Sequence, residues 1–441
     1  MATILREVSS SDAALPIAPL ARARDEGGPP PVRPPRFSWT AAFALLLLAT
    51  GKAYGAPDPA LSPAKVAEVH AAAQPFDPHI DIPPSLGLSA LPPAESQFSL
   101  DLARRGGLRT AGLAIFAAQG PDTAEERQKA EAEALAREAA IDRLVASGGA
   151  RLARSAGDVR AINAGRELAV VKTIVNGGAF ATTPGEIAAW QQRGVRIFGL
   201  VHAGHNALAD SSRPSLPRGE APERWGGLSP AGKAAIAELN RLGVVVDVSQ
   251  LSSKAFAQAV AASGAPVLAS HSSARALVDV GRNLGDAELD LLKANGGVVA
   301  INAFSAYLRP DGASTTRKIA ELQRSFGLNA AGGPVLSAER QAEYTRAYYA
   351  IRGEEPKATL AQLIDHVDHA VRRIGIDHVA LSSDFNHGGG VIGWADVSQA
   401  PAVTAELLKR GYSAADIRKL WSENLLRVLA DAERRAAVAR P

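Results

Sequence analysis

A histidine and an aspartate stand two residues apart, at His79 and Asp81, within the apolar run FDPHIDIP. Successive side chains of a β-strand point to opposite faces, so two residues at this spacing share a face and lie about 7 Å apart. An imidazole nitrogen and a carboxylate oxygen are both ligands that zinc accepts. The pair therefore predicts one half of a metal site, or else a polar strand end that hydrogen-bonds to neighbouring loops.

Further polar side chains stand at or just beyond the ends of other apolar runs: Asn176, His202, Gln250, His271 and Asp384. The chain has nine histidines, and three of them fall at such run ends. It has no cysteine, and it lacks both the G-x-S-x-G turn of serine hydrolases and the glycine-rich loop that binds phosphates. The pattern favours a metal-dependent hydrolase over an enzyme with a serine or cysteine nucleophile.

The elements that must position these residues alternate along the chain. Short apolar runs occupy residues 75–82, 108–117, 168–175, 195–202, 243–249, 266–271, 297–304 and 378–384. Stretches with helical periodicity lie between several of them, at residues 123–146, 183–194, 228–243 and 252–264. Eight strands that alternate with helices predict an α/β fold, a single-domain (β/α)8 barrel of the TIM type, whose active site lies at the C-terminal ends of the strands.

Composition supports a large globular enzyme and argues against a nucleic-acid-binding protein. Hydrophobic residues make up 46% of the 441 residues, and the net charge is only +3. Much of the basic excess lies in the first 36 residues, and no cluster of basic and aromatic side chains follows. We therefore expect no nucleic-acid partner.

The N-terminal segment is typical of export. An apolar run of eleven residues, 40–50, follows an arginine-containing, proline-rich lead and precedes the small residues Ala53 and Gly55. Such a run is too short to span a bilayer comfortably and suits the apolar core of a signal peptide. We expect residues 1–55 to direct the chain to the periplasm or the extracellular space, either cleaved near Gly55 or retained as a membrane anchor. Residues 56–74 are then a linker with a first helix, 75–430 the barrel and 431–441 a frayed basic tail.

Several segments together resemble one protein family, the membrane (renal) dipeptidases, which are zinc peptidases. The segments are DPHIDIP, RGVRIFGLVHAGHNALADSS, LNRLGVVVDVSQLSSKAF, PVLASHSSARAL, RNLGDAELDLLKANGGVVAINAF and IGIDHVALSSDFNHG, in the order of the family, across roughly residues 75–430. The resemblance implies a barrel of the amidohydrolase type that holds two zinc ions bridged by a glutamate. It also implies homodimers, and hydrolysis of the amide bond of dipeptides by attack of a metal-bound water.

The resemblance assigns metal and catalytic roles to individual positions of this sequence. His79 and Asp81 match ligands of the first metal, and His271 matches a ligand of the second. Asp384, in the segment SSDF, matches the aspartate that acts as catalytic acid and base.

Three further positions match residues that contact the substrate. His202 matches a substrate-binding histidine, and Arg282, in the segment GRNL, matches an arginine that holds the substrate carboxylate. Tyr307 stands where a tyrosine of the substrate pocket is expected. The partner implied by these matches is a small, dipeptide-like molecule.

Two positions depart from the family pattern. Asn176 stands where the bridging glutamate is expected, and Gln250 stands where a second histidine of the second metal is expected. Amide oxygens are neutral and weak zinc ligands, so Asp81 and Asp384 would be the carboxylates left near two divalent ions. A buried site would then balance the second ion poorly. We therefore expect one zinc ion, or a weakened second site, rather than two.

The altered ligands leave some interpretations open. His205, in the segment HAGHN, is interpreted either as a solvent-exposed loop residue or as a replacement ligand. Three functions remain: hydrolysis of dipeptides, hydrolysis of another small amide, ester or lactone, and ligand binding by a catalytically impaired barrel. Metal content and dipeptide turnover discriminate among them.

Overall fold

The structure, a computed structural model, describes residues 62–84, 96–328 and 332–438. These ranges belong to a unit that spans Tyr54–Pro441. The predicted export segment, residues 1–55, lies outside the described residues. Within the described ranges, no helix combines the length and the apolarity that are needed to cross a membrane.

The described residues form one sheet of nine parallel strands, in which eight follow one another around a barrel. The strands are β1 (Phe76–Asp81), β2 (Thr110–Phe116), β3 (Ala150–Leu152), β4 (Leu168–Val175), β5 (Val195–Gly199), β6 (Val245–Asp247), β7 (Leu268–Ser272), β8 (Val298–Asn302) and β9 (Val379–Ser382). The order is β1-β2-β4-β5-β6-β7-β8-β9, and β3 pairs with β4 off this path. A parallel bridge between Ile80 and Phe385 joins β1 to the segment after β9, so the circuit is almost closed.

Helices surround the barrel and connect its strands. They are α1 (Pro63–Ala73), α2 (Leu100–Arg105), α3 (Ala124–Ala146), α4 (Ala156–Asn163), α5 (Pro184–Gln192), α6 (Pro230–Leu242), α7 (Ser253–Ala262), α8 (Asp286–Asn295), α9 (Ser305–Leu308), α10 (Ala313–Ser325), α11 (Ala338–Gly353), α12 (Leu360–Ile374), α13 (Ala400–Lys409), α14 (Ala414–Arg418) and α15 (Asn424–Val438). Local sequence sets several starts: Thr183 and Glu186 form a capping box at α5, and Ser229 caps α6. Such caps satisfy amide groups that the first helical turn leaves free.

The predicted barrel is confirmed. Each of the eight apolar runs contains one strand of the barrel circuit, except that β7 extends one residue beyond its run. The strand that the sequence did not predict, β3, has three residues, one of them exposed, and lies in no apolar run; the equally short β6 was predicted because it lies within the apolar run 243–249.

The predicted C-terminal tail was wrong up to Val438, because α15 continues to that residue. The small side chains of Ala432 and Ala436 are buried, and Glu433 accepts a hydrogen bond from Ala156 N at 2.8 Å. This packing stabilises the last helical turns, which the basic composition of the segment did not predict.

Candidate metal centre and substrate pocket

A pocket opens at the C-terminal ends of the barrel strands. It is lined by His79 and Asp81 from β1, by His271 from β7 and by Asp384, which follows β9. The empty space inside it, with the open mouth included, is ≈ 540 Å³. The barrel thus brings the polar side chains at the ends of three strands together around one pocket.

Three of these side chains lie close enough to bind one metal ion. A nitrogen of His79 and one carboxylate oxygen each from Asp81 and Asp384 all lie within 4.8 Å of one another, and all three residues are buried. His79 Nε2 is 3.2 Å from Asp81 Oδ2 and 3.7 Å from Asp384 Oδ1. Ligands around a tetrahedral zinc ion with bonds of about 2.0–2.1 Å are roughly 3.3 Å apart. The donor set and its spacing therefore fit one such ion.

The same three side chains act on one another electrostatically. Burial opposes a charge on His79, but its hydrogen bond to Asp81 and the charges of Asp81 and Asp384 raise the pKa of the imidazole to about 9. Burial likewise opposes the charge on Asp81, yet the hydrogen bond from His79 holds the pKa of this carboxyl below its usual value. A proton and a metal ion therefore compete for the imidazole of His79.

An unusual backbone conformation recurs at the strand ends around the pocket. Of the five non-glycine residues with positive φ in the described ranges, four follow barrel strands: Asn176, Gln250, Asp384 and Asn386. Their φ values are 63°, 69°, 57° and 65°. Such conformations are uncommon outside glycine and cluster at functional sites. Asp384 is further held by Asn302, whose Nδ2 donates to Asp384 Oδ2 at 2.9 Å.

His271 Nε2 is engaged in a hydrogen bond within the protein. The amide nitrogen of Gln250 lies 3.0 Å from His271 Nε2, and the amide oxygen of Gln250 accepts a hydrogen bond from Arg213 Nη2 at 2.8 Å. Because a guanidinium only donates, Arg213 fixes the orientation of the Gln250 amide and directs its NH2 group at His271. His271 Nε2 therefore accepts this hydrogen bond through its lone pair.

The other ring nitrogen of His271 agrees with this assignment. Ser270 Oγ donates to Asp247 Oδ2 at 2.5 Å and lies 2.7 Å from His271 Nδ1. Since the hydroxyl proton of Ser270 goes to Asp247, His271 Nδ1 carries a proton and donates it to Ser270 Oγ. Burial, reinforced by the positive charges of His79 and Arg282, keeps the pKa of His271 well below its ordinary value. The ring is neutral and fully hydrogen-bonded.

Asn176 does not face the pocket. Its Nδ2 donates to Ala117 O at 2.9 Å, and its Oδ1 accepts from Asn206 Nδ2 at 3.0 Å. The residue is fully buried and is absent from the described pocket lining. Asn206 approaches so closely that a Cβ at Gly178 would lie 2.4 Å from it, so the turn after β4 requires glycine there. Asn176 and His271, the two positions that the resemblance relates to a second metal ion, are thus both engaged in hydrogen bonds within the protein.

Both interpretations of His205 were wrong. The residue is 5% exposed, so it is not a solvent-exposed loop side chain. Its Nδ1 accepts a hydrogen bond from Ser211 N at 3.1 Å, and its Nε2 donates to Ala221 O at 2.9 Å. With both nitrogens used, His205 stabilises the loop after β5 and does not serve as a ligand.

Two arginines line the pocket, and sequence reasoning singled out only one of them. Arg282 is buried and donates to His271 O at 2.5 Å and to Ser272 Oγ at 2.9 Å. Burial lowers the pKa of Arg282 to about 10, which leaves it charged at neutral pH. Its guanidinium carbon lies 5.4 Å from the ring centroid of Tyr307. The second arginine, Arg213, donates to Tyr307 Oη at 3.2 Å.

His202 lines the pocket next to a histidine that sequence reasoning missed. The ring of His202 lies 4.7 Å from that of Phe116 and 5.6 Å from that of His387, between centroids. Burial lowers the pKa of His202 well below its ordinary value, so its ring is neutral. His387 Nδ1 is 3.7 Å from Asp81 Oδ1. Its position three residues after Asp384 was the signal that could have identified it.

His366, on α12, ties together the segments that carry Arg282 and Tyr307. Its Nδ1 accepts a hydrogen bond from Ala274 N at 3.1 Å, and its Nε2 donates to Leu308 O at 3.3 Å. Only the neutral ring can accept and donate in this way. Burial lowers the pKa of His366 from 6.5 to about 4.

This depressed pKa predicts a loss of stability in mild acid. A histidine with a lower pKa in the folded state stabilises the fold above its unfolded pKa, and the contribution is lost as the pH falls toward the folded value. The shift of His366 corresponds to a loss of up to about 3 kcal/mol of unfolding free energy between about pH 6.5 and pH 4. Urea unfolding of the protein and of His366→Gln across this range measures it. We expect the difference between the two proteins to shrink as the pH falls; a constant difference would contradict the assignment.

Comparison with known proteins places the chain among peptidases. A model of the membrane dipeptidase family, peptidase family M19, matches residues 64–440. The dipeptidase tcpJ of Claviceps purpurea is 36% identical over 245 residues, which are 55% of this chain and 46% of that protein. The dipeptidase aclJ of Aspergillus oryzae is 35% identical over 245 residues, 55% of this chain and 47% of that protein. The chain thus spans about half the length of these curated relatives.

Solved structures show the same barrel. The probable dipeptidase PvdM from Pseudomonas aeruginosa is 40% identical, with a TM-score of 0.80, and the match covers 85% of this chain and 100% of that chain. The dipeptidase AC, a metallopeptidase of family M19, is 24% identical with a TM-score of 0.63, and the match covers 81% of this chain and 98% of that chain. At that identity the second likeness shows the fold alone.

Proposed function

Since the chain belongs to the membrane dipeptidase family, peptidase family M19, we propose that it hydrolyses the amide bond of a dipeptide-like substrate with one zinc ion. His79, Asp81 and Asp384 would hold this ion. The observation that carries the proposal is their buried N,O,O donor set, within 4.8 Å, in a pocket that Arg282 also lines. The resemblance of the sequence to zinc peptidases favours zinc over other divalent ions.

Each side chain then has a distinct task. A bound zinc ion would polarise the carbonyl group of the substrate and lower the pKa of a water molecule. Asp384, oriented by its hydrogen bond from Asn302, would accept a proton from the attacking water and return it to the leaving amine. The neutral ring of His202 would contact the substrate, and Arg282 would bind its carboxylate beside Tyr307.

The proposal has a direct test in metal content and turnover. We expect close to one zinc ion per chain after purification without chelators, together with hydrolysis of simple dipeptides. Metal without dipeptide turnover would favour another small amide, ester or lactone as the substrate. Protein that takes up no metal would favour a binding protein, an alternative that gains support from the hydrogen bond between Gln250 and His271.

Arg282→Ala is expected to raise KM for a dipeptide well over tenfold. Loss of a desolvated, charge-assisted pair with a carboxylate typically costs about 2–4 kcal/mol. Arg275→Ala is the matched control, because Arg275 lies in the same loop but pairs with Glu288 at 3.5 Å. Steady-state kinetics on free and C-terminally amidated dipeptides measure the effect. An unchanged KM in Arg282→Ala, or equal activity of the unmodified protein on both substrates, would contradict the assignment.

We further propose that the chain is exported. The support is the apolar run 40–50 and the small residues that follow it, Ala53 and Gly55. Fractionation with N-terminal sequencing is expected to find the protein in the periplasm or outside the cell, beginning near Gly55 or anchored through the uncleaved run. A cytoplasmic protein that begins at Met1 would refute this prediction.

A further inference from the structure

The pocket contains two arginine side chains that form no ion pair with a carboxylate among the described residues. Arg213 and Arg282 both line the pocket. Neither has a carboxylate within ion-pair distance there, and the Nε atoms of both are buried without a hydrogen-bond partner. The carboxylates in the described pocket lining are Asp81 and Asp384, both of which we assign to the metal ion.

Tyr307 holds the two guanidinium groups in a fixed relation. Arg213 Nη1 donates to Tyr307 Oη at 3.2 Å, and the guanidinium carbon of Arg282 lies 5.4 Å from the ring centroid. Arg213 is anchored again by Gln250 Oε1 at 2.8 Å. Its backbone carbonyl accepts a hydrogen bond from Gly204 N at 2.7 Å. Arg213 is therefore a positioned charge, not a loose surface side chain.

Two arginines in one pocket require anions to balance their charges. One divalent ion is balanced by Asp81 and Asp384. The further carboxylate whose charge acts on Arg282, Asp247, is hydrogen-bonded to Ser270 and forms no ion pair with Arg282 among the described residues, so neither guanidinium group has a counter-anion in contact. Like charges in a partly desolvated space are unfavourable without counter-anions. A substrate with a single carboxylate would neutralise one of them. A substrate with two anionic groups would neutralise both.

We propose that Arg213 is a second anion-binding residue and that the substrate is a small amide with two anionic groups, one for Arg282 and one for Arg213. This inference rests on the proposed hydrolase function and narrows its substrate class. Because both guanidinium groups lie beside Tyr307, one small molecule can present an anionic group to each of them.

Binding of two matched amides to the full chain tests the inference. N-acetyl-L-glutamate and N-acetyl-L-glutamine have nearly the same shape and differ by one negative charge. We expect calorimetry to show at least about tenfold tighter binding of N-acetyl-L-glutamate to the unmodified protein, the size of one charge-assisted hydrogen bond. Arg213→Gln should remove this preference, whereas Arg213→Lys, which keeps the charge, should retain most of it.

A control variant and the adverse outcomes complete the design. Arg224→Gln changes an arginine in the same loop that is already paired with Asp122 at 2.8 Å, and it should leave the preference intact. Equal affinity for both amides, no binding of either, or an undiminished preference in Arg213→Gln would overturn the inference. The readout is binding, so it is independent of the zinc content and turnover that test the proposed function.

Discussion

Asp384→Asn is expected to lower kcat for amide hydrolysis by roughly three orders of magnitude, which is within the range for loss of a general acid and base. The asparagine oxygen can still accept the hydrogen bond from Asn302 Nδ2 that Asp384 Oδ2 accepts at 2.9 Å. A neutral amide is nevertheless a weak zinc ligand and cannot take a proton from water. We therefore expect zinc per chain to fall along with kcat, and both are measured on the same dialysed preparation.

Asp377→Asn is the matched control for this variant. Asp377 lies just before β9, at the opposite end of the strand from Asp384, and it pairs with Lys419 on the surface with 58% of its side chain exposed. Its loss should change neither kcat nor zinc content. Full zinc content and full activity in Asp384→Asn would show that the cluster of His79, Asp81 and Asp384 is not the catalytic centre.

The combination of Asn176→Glu with Gln250→His is expected to create a second metal site. Gln250→His removes the amide that donates to His271 Nε2 and supplies a second imidazole. Asn176→Glu supplies a longer side chain, whose carboxylate must leave the present contacts of residue 176 with Ala117 and Asn206 and turn toward the pocket to balance the added charge. We expect close to two zinc ions per chain where the unmodified protein binds one or fewer, with an increase in any dipeptidase activity. Elemental analysis of dialysed protein and hydrolysis of a simple dipeptide provide the measurements.

The contacts of Asn176 and Gln250 determine how much zinc each single variant is expected to bind. Asn176→Glu alone leaves His271 hydrogen-bonded to Gln250, and it also removes the donor to Ala117 O. Gln250→His alone frees His271 but adds no negative charge. Neither single variant should therefore bind the second ion tightly. Two tightly held ions in the unmodified protein would refute the argument from charge, and no change in the double variant would mean that the backbone holds position 176 away from the pocket.

The barrel could be predicted because its buried strands, including short ones such as β6, lie within longer apolar runs of the sequence. The run at residues 168–175, for example, coincides with β4, since eight consecutive apolar-rich residues leave few alternatives. Strand β3 and the last turns of α15 could not be predicted from the same signal. Strand β3 lies outside any apolar run. The last turns of α15 depend on which face of a basic segment packs against the rest of the chain.

The pocket was harder to predict, because part of it lies on loops. His79, Asp81 and His271 belong to strands, so the barrel topology alone brings them together. Arg213 enters from the long loop after β5, whose sequence carries no periodic signal, and its role depends on contacts with Gln250 and Tyr307 far away in the chain. The role of His205 likewise depends on hydrogen bonds within the folded loop, which the sequence alone does not reveal. Spacing identified the candidates, but only tertiary contacts distinguish a ligand from a loop anchor.

The left-handed backbone after the barrel strands restricts directed evolution of this protein. Positive φ is tolerated by glycine and, to a lesser degree, by asparagine, aspartate and histidine, whereas β-branched residues are strained there. At Asn176, Gln250, Asp384 and Asn386, a library of these four residue types together with the native residue of each position should therefore yield the largest share of folded variants. Valine, isoleucine and threonine at the same positions should be lost to misfolding before selection for activity begins. Diversity is better introduced at loop positions such as Arg213, which do not have this backbone conformation.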